Sequence, residues 1–192
     1  AQDRTLNKNT KVLLITTAQN KTTVNKDFLD NLTTYKDYIT NQLGKECELV
    51  IIPSKYRNPT NNIEDEKNKA SDWWETELDE YLFYGKVNLG NTLISCDSHI
   101  SPTAKNPTEG YEILAENGHV VLGHITTKNY SRSKAGETGA LLHSYGFVVV
   151  ELKDKDTCYI PRNVKVKSDG SFCDLIYSVD KKEVSIIGSS LG

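Results

Sequence analysis

The chain has 192 residues, enough for one domain with a substantial buried core. Its formal net charge of -3 gives no global attraction to phosphate, so contact with nucleic acid would have to come from a local basic patch. No segment approaches the roughly 20 apolar residues that span a bilayer and no signal-like apolar core follows Ala1, so the expectation is a soluble cytoplasmic protein with no membrane partner.

Residues 1–10 are polar and without period and read as a flexible arm, which leaves 11–192 as a single α/β domain. Val12-Leu13-Leu14-Ile15 is a short continuous apolar run, the pattern of a strand buried on both faces, and Thr16-Thr17-Ala18-Gln19-Asn20 should end it. Phe28, Leu32, Tyr35, Ile39 and Leu43 then recur at helical spacing, with Asn25 placed to cap the helix and Gly44 to stop it. Glu48-Leu49-Val50-Ile51-Ile52 predicts a second buried strand, broken by Pro53. Strand, helix, strand is a βαβ unit, whose two strands should be parallel.

Lys55 and Arg57 fall in a polar loop beyond that second strand, and residues 61–70 form a charged excursion. Trp73, Trp74, Leu78, Tyr81 and Leu82 make an aromatic helical stripe through Tyr84, read as packing on a sheet edge rather than stacking on bases. Thr92-Leu93-Ile94-Ser95 is a third strand, ending in Cys96-Asp97-Ser98-His99. Tyr111-Glu112-Ile113-Leu114 is a short helical turn or strand, and His119-Val120-Val121-Leu122 is a fourth strand with His119 as a core residue. A fifth runs from Gly146 into Leu152, and hairpin signals at Lys155-Asp156, Ser168-Asp169-Gly170-Ser171 and Asp180-Lys181 follow. The expected fold class is therefore α/β, a mixed sheet with an N-terminal βαβ unit and a C-terminal antiparallel portion.

In open α/β sheets, ligands bind beyond the carboxyl ends of the strands. Those ends carry Thr16, Gln19 and Asn20, then Lys55 and Arg57, then Asp97 and His99, then His124 with Asn129, Arg132 and Lys134. Donors, imidazoles and one carboxylate with local positive charge suit an anionic ligand, and phosphate is the obvious one. One mechanism has Asp97, His99, His124 and His143 ligate one or two divalent metals, Mg or Mn, with a metal-activated water attacking a phosphodiester; its weakness is the short supply of carboxylates. A second uses His99-Ile100-Ser101 and His124-Ile125-Thr126 as paired H-x-S/T elements, one imidazole as base and the other as acid. A third has the cluster bind a phosphate or a partner without catalysis. The Ser131-Arg132-Ser133-Lys134-Ala135-Gly136 loop lacks P-loop spacing, no serine sits on a G-x-S-x-G elbow, and Cys47, Cys96, Cys158 and Cys173 lack zinc-ribbon spacing.

Ile15-Thr16-Thr17-Ala18-Gln19-Asn20, Ile52-Pro53, Tyr56-Arg57-Asn58-Pro59-Thr60, Pro102-Thr103-Ala104, Gly123-His124, Asn129-Tyr130 and Gly170-Ser171-Phe172 together resemble an uncharacterised family of tailed-bacteriophage proteins. This chain departs from it in a shorter segment between Gly-His and Asn-Tyr, and in Leu142-His143 where a His-His pair is common. The layout is also distantly similar to calcineurin-type metallophosphoesterases, whose Asp-x-His and Gly-Asn-His elements are missing. The resemblance implies a phage-type protein in the host cytoplasm. Joined to the residue reading, it gives action on a phosphate-bearing ligand, nucleic acid or nucleotide, as a metal-dependent phosphodiesterase or nuclease. His124, Asp97 and His99 are the catalytic candidates, and Asp97, His124 and His143 the metal ligands. Arg57, Lys134, Arg132 and Asn129 are the phosphate binders. The alternative is a non-catalytic DNA-binding or host-partner-binding phage protein that uses the Trp73/Trp74 stripe and the acidic excursion before it.

Overall fold

A computed structural model describes residues 9–19, 22–54, 77–83, 86–88, 93–95, 112–115, 118–121, 123–127, 144–152 and 161–187. Of the expected arm only Asn9 and Thr10 are described, and Thr10 is buried. The first strand, β1 (Val12–Gln19), is buried along its whole length. It does not stop at Thr16. It runs on through Gln19, and the hydroxyls of Thr16 and Thr17 find partners inside the protein, as set out below.

Helix α1 (Lys26–Asn41) starts where Asn25 accepts a hydrogen bond from the Phe28 N–H at 3.2 Å, an N-cap contributing about 1 kcal/mol. Gly44 takes a left-handed φ of 66°, and Lys45 N–H reaches back to the Ile39 carbonyl at 3.1 Å, so the helix stops there. Strand β2 (Cys47–Ser54) returns parallel to β1, with Val12 opposite Cys47 and Ala18 opposite Pro53. Pro53 therefore lies inside the strand rather than breaking it. It is tolerated because β2 is at the end of its sheet and a missing N–H on an outer edge breaks no ladder.

Leu78 and Leu82 are buried as the stripe predicts, but residues 79–81 form a turn where helix was expected, and Tyr84 lies outside the described residues. Leu82 pairs with Ile51 on the outer side of β2, so the segment packs on a sheet edge as expected. Trp73 and Trp74 lie outside the described residues.

Strands β3 (Lys86–Asn88), β4 (Leu93–Ser95), β5 (Glu112–Ala115) and β6 (Gly118–Val121) form an antiparallel sheet of their own. The third and fourth expected strands thus correspond to β4 and β6 but do not join the βαβ sheet. Strand β7 (Gly146–Glu151) does, running antiparallel beside β1, and β8 (Pro161–Lys165) completes the order β2-β1-β7-β8. Strands β9 (Phe172–Asp174), β10 (Tyr177–Asp180) and β11 (Glu183–Ile186) make a second small antiparallel sheet. The expected α/β class, with a βαβ start and an antiparallel C-terminal portion, is what the chain forms.

Phe28, Leu32, Tyr35 and Ile39 of α1 pack on Leu14, Leu49, Ile51, Phe147 and Val149 of the mixed sheet. Phe172 and Val179 of the small sheet close the same core, with the Phe147 and Phe172 rings 4.8 Å apart edge-to-face. Leu13, Ile15, Val50, Ile52, Val148 and Val150 point to the other face and are equally buried. That double burial explains the unbroken apolar runs in the sequence. No helix among the described residues is long and apolar enough to cross a membrane.

Candidate functional site

Beside β1, strand β7 keeps register from Val12 opposite Glu151 to Ile15 opposite Val148. Beyond that point the two strands part and residues 123–127 enter the gap. Ile125 N–H donates to the Thr17 carbonyl at 2.8 Å, His124 N–H to the Ser144 carbonyl at 3.0 Å, and Gly146 N–H to the His124 carbonyl at 3.3 Å. His124 thus bridges Thr17 on one side and Tyr145 on the other, both in parallel sense. Further along, Thr126 pairs with Val24, and Asn25 N–H reaches the Ile125 carbonyl at 2.8 Å. One short segment therefore ties the end of β1, the start of β7 and the entry to α1.

The Gly-His pair in the sequence has a geometric reason. Gly123 has φ 68°, and a Cβ there would lie 2.9 Å from Gly146 Cα, so two glycine backbones touch where the sheet forks. His124 then fills the fork. Its Nδ1 is 2.9 Å from the Thr17 hydroxyl, which also donates to the Gly123 carbonyl at 2.6 Å. Thr16 donates to the Gly146 carbonyl at 2.7 Å, and Gln19 N–H donates to Thr126 Oγ1 at 3.1 Å. Thr16, Thr17, His124 and Thr126 are 0% exposed and Gln19 2%. The described part of the fork is an imidazole among hydroxyls and an amide, with no carboxylate. Such a set can move a proton or donate hydrogen bonds to an anion.

The N-terminus of α1, where a βαβ unit often takes phosphate, is filled from within. Asn25 caps Phe28, and a Cβ on Gly170 would lie 2.5 Å from the Phe28 nitrogen, so the 168–171 turn sits on the first helical turn. Asn25 and Asn31 bind that turn through the Ser168 carbonyl at 3.1 Å and the Gly170 carbonyl at 2.9 Å.

A second buried polar cluster lies away from the fork. Asp174 accepts Arg162 Nε at 2.6 Å, Arg162 Nη2 at 2.9 Å and the Tyr35 hydroxyl at 2.5 Å. Arg162 Nη1 also donates to Glu151 at 2.9 Å. Burial, then the hydrogen bond to Asp174, pushes the Tyr35 hydroxyl well above its ordinary value. Burial pulls against the Arg162 charge, but Asp174 and Glu151 outweigh it and hold the guanidinium protonated. Each donor here meets an acceptor of the protein, which makes the cluster a fastener between α1, β7, β8 and β9. Cys47 is buried and its thiol is pushed up to about 12 by that burial, so it is no nucleophile at neutral pH.

Of the residues expected at the strand ends, the structure describes Thr16, Gln19 and His124 and brings them together at the carboxyl end of β1, while Asn20 and Lys55 lie outside the described residues. Arg57, Asp97, His99, Asn129, Arg132, Lys134 and His143 lie outside the described residues. Among the described residues no group of three or more His, Cys, Asp or Glu side chains comes together. Sequence reasoning does not single out Thr17, the partner of His124, because it lies past the apolar run that marks β1. Its signal was alternation, since a strand continued past Ile15 puts Thr17 on the same face as Leu13 and Ile15.

No family model matches the chain, and no solved structure matches it. It is similar to Protein A1 of Escherichia phage T5, 24% identical over 194 aligned residues that cover 86% of this chain and 34% of that protein. The chain spans about a third of the length of the curated relative it matches. The likeness supports a phage protein, and the relative's name carries no activity. The layout likeness to calcineurin-type metallophosphoesterases gains no solved structure in its support.

Proposed function

We propose that this protein acts on a phosphate-bearing ligand, a nucleic acid or nucleotide in the host cytoplasm, at the fork beyond β1, as a metal-dependent phosphodiesterase or nuclease. The observation that supports this reading is the fork itself. Two strands are parted, two glycines are brought into backbone contact and one residue is held left-handed, all to seat an imidazole at the strand end where α/β sheets bind ligands.

Mg²⁺ and Mn²⁺ are hard ions that favour oxygen ligands, and the described residues of the fork offer one imidazole and no carboxylate. That set does not by itself fit such an ion. The metal half of the proposal rests on Asp97 and His143 joining His124, and no catalytic step is derived through the ion. In the same proposal Arg57, Asn129, Arg132 and Lys134 take the phosphate, His124 handles a proton and His99 is its acid–base counterpart.

The complete burial of His124 favours a second reading, a non-catalytic DNA-binding or partner-binding phage protein in which His124 is a structural tie between β1 and the start of β7. A cleavage assay separates the two, using a fluorescent single-stranded oligonucleotide with Mn²⁺, Mg²⁺ or chelator. The first reading expects metal-dependent cleavage that falls by about 100-fold or more in His124→Ala. Absence of cleavage with every metal, from protein that still binds the oligonucleotide, discards it in favour of the second.

A further inference from the structure

The small sheet ends in an edge that no strand among the described residues covers. In the order β11-β10-β9, strand β9 is tied onward through the Val166–Phe172 bridge, and β11 is the open side. Ile187 N–H donates to the Ile176 carbonyl at 2.7 Å, so by antiparallel alternation Ser185 and Glu183 also turn their backbone groups toward β10. Val184 and Ile186 turn theirs outward. At the hairpin turn Asn31 covers this edge, its side chain accepting the Lys182 N–H at 2.9 Å, and at the half-exposed Ile186 the edge is open. The register of β10 with β11 is unbroken by a bulge, and Ser185-Ile186-Ile187 holds neither proline nor lysine, the devices that keep sheet edges apart.

The side chains along that open end are apolar. Ile176, Ile186 and Ile187 are half-exposed, and Leu175 is 67% exposed at the tip of the β9–β10 hairpin. Leu175 also holds a left-handed φ of 54° in a two-residue turn that suits glycine, asparagine or aspartate, so neither turn chemistry nor solvation accounts for a leucine there. We propose that β11 pairs with β11 of a second copy of this chain, antiparallel about a two-fold axis through Ile186. The self-complementarity of the edge is what favours a second copy over a foreign strand. About that axis the two Ile186 residues exchange backbone hydrogen bonds, Ile187 faces Ser185 of the partner subunit, and the charged Lys182 and Glu183 fall toward the ends of the paired segment. The four apolar side chains expose on the order of 400 Å², a size at which surface patches are commonly functional. That is about half of the roughly 800 Å² per partner that a stable dimer buries. The dimer is therefore reversible, forming and parting with concentration, and each copy folds without it.

The test joins sedimentation velocity with amide hydrogen exchange on the full chain, each run from low micromolar to near-millimolar concentration. The sedimentation coefficient of the wild type should climb with concentration from that of a monomer toward that of a dimer. Ile186→Lys, at a site already half in water, should stay monomeric throughout and Ile186→Val should still associate. Hydrogen exchange reads the strand pairing in the wild type alone. The Ser185 and Ile187 amides, bonded to β10, should be protected at every concentration, whereas the Ile186 amide should gain protection only as the dimer forms. A monomer at every concentration overturns the proposal, including one whose Ile186 amide becomes protected only when a foreign extended peptide is added. So does a dimer that survives Ile186→Lys, or one in which the Ile186 amide exchanges as fast as in the monomer.

Discussion

Gly123→Ala tests the fork through stability alone. The new methyl group must sit on a residue with φ 68°, a left-handed backbone that costs an ordinary L-residue about 1 kcal/mol or more. It would also stand 2.9 Å from Gly146 Cα and 3.0 Å from its N and C atoms, well inside the roughly 3.5–4.0 Å at which carbon atoms rest. The backbones have to separate, and the first bonds to suffer are the 3.3 Å Gly146 N–H to His124 carbonyl bond and the Thr17 hydroxyl bond to Gly123. Losing one or two buried hydrogen bonds adds about 1–2 kcal/mol, for a total near 3 kcal/mol. Gly146→Ala is the control. Gly146 has no left-handed φ, and its Cβ would meet the Val164 carbonyl at 3.1 Å and Gly123 Cα at 3.9 Å, so about 1 kcal/mol is expected. With a urea slope of about 2 kcal/mol/M, the midpoint should fall by roughly 1.5 M in Gly123→Ala and by roughly 0.5 M in Gly146→Ala. Equal shifts, or a Gly123→Ala midpoint close to wild type, would mean that the two strands do not part around residues 123–127.

Asp174→Ala should lower stability by about 3 kcal/mol, because it strands the Arg162 guanidinium and the Tyr35 hydroxyl in a site where the Asp174 side chain is 1% exposed. Glu151→Gln, at a side chain 38% exposed, should change the denaturant midpoint by no more than about 1 kcal/mol of stability, and a reversed order would unseat Asp174 as the centre of the cluster. Tyr35 gives a pH signature. Its folded pKa is raised, so its contribution is complete below the unfolded value near 10 and is lost as pH climbs from there toward the folded value. Wild type should therefore lose more stability than Tyr35→Phe between pH 9 and pH 11 by about 1 kcal/mol. Parallel pH curves for the two proteins would remove the buried hydroxyl from the account.

What the sequence made legible was whatever a single element's periodicity or cap encodes. Asn25 and Gly44 bracket α1 because a cap and a left-handed stop are local chemistry, and Val12-Leu13-Leu14-Ile15 announced a strand buried on both faces. Pairing was less legible. Leu93, Ile94 and Ser95 looked like another strand of the βαβ sheet, and nothing in three residues says that they pair antiparallel with Val87 and Leu114 instead. Thr16 and Thr17 read as the end of β1 because hydroxyls in isolation mark loops. They are strand residues here because Gly146, Gly123 and His124, more than 100 positions later, supply their partners. For the candidate site, Gly123-His124 could be placed from sequence at the end of a strand. Thr17 could be found only once the strand was known to run on, and the same holds for Asp174, whose partners Tyr35 and Arg162 come from α1 and β8.

The central claim, that the fork beyond β1 meets the phosphate-bearing ligand, is tested most directly by backbone and side-chain NMR during titration with a short single-stranded oligonucleotide, with and without Mg²⁺. Saturable shifts at Thr17, His124 and Thr126, weakened in His124→Gln, are the predicted result. Saturable binding that leaves those three residues unmoved and perturbs another part of the molecule would contradict it.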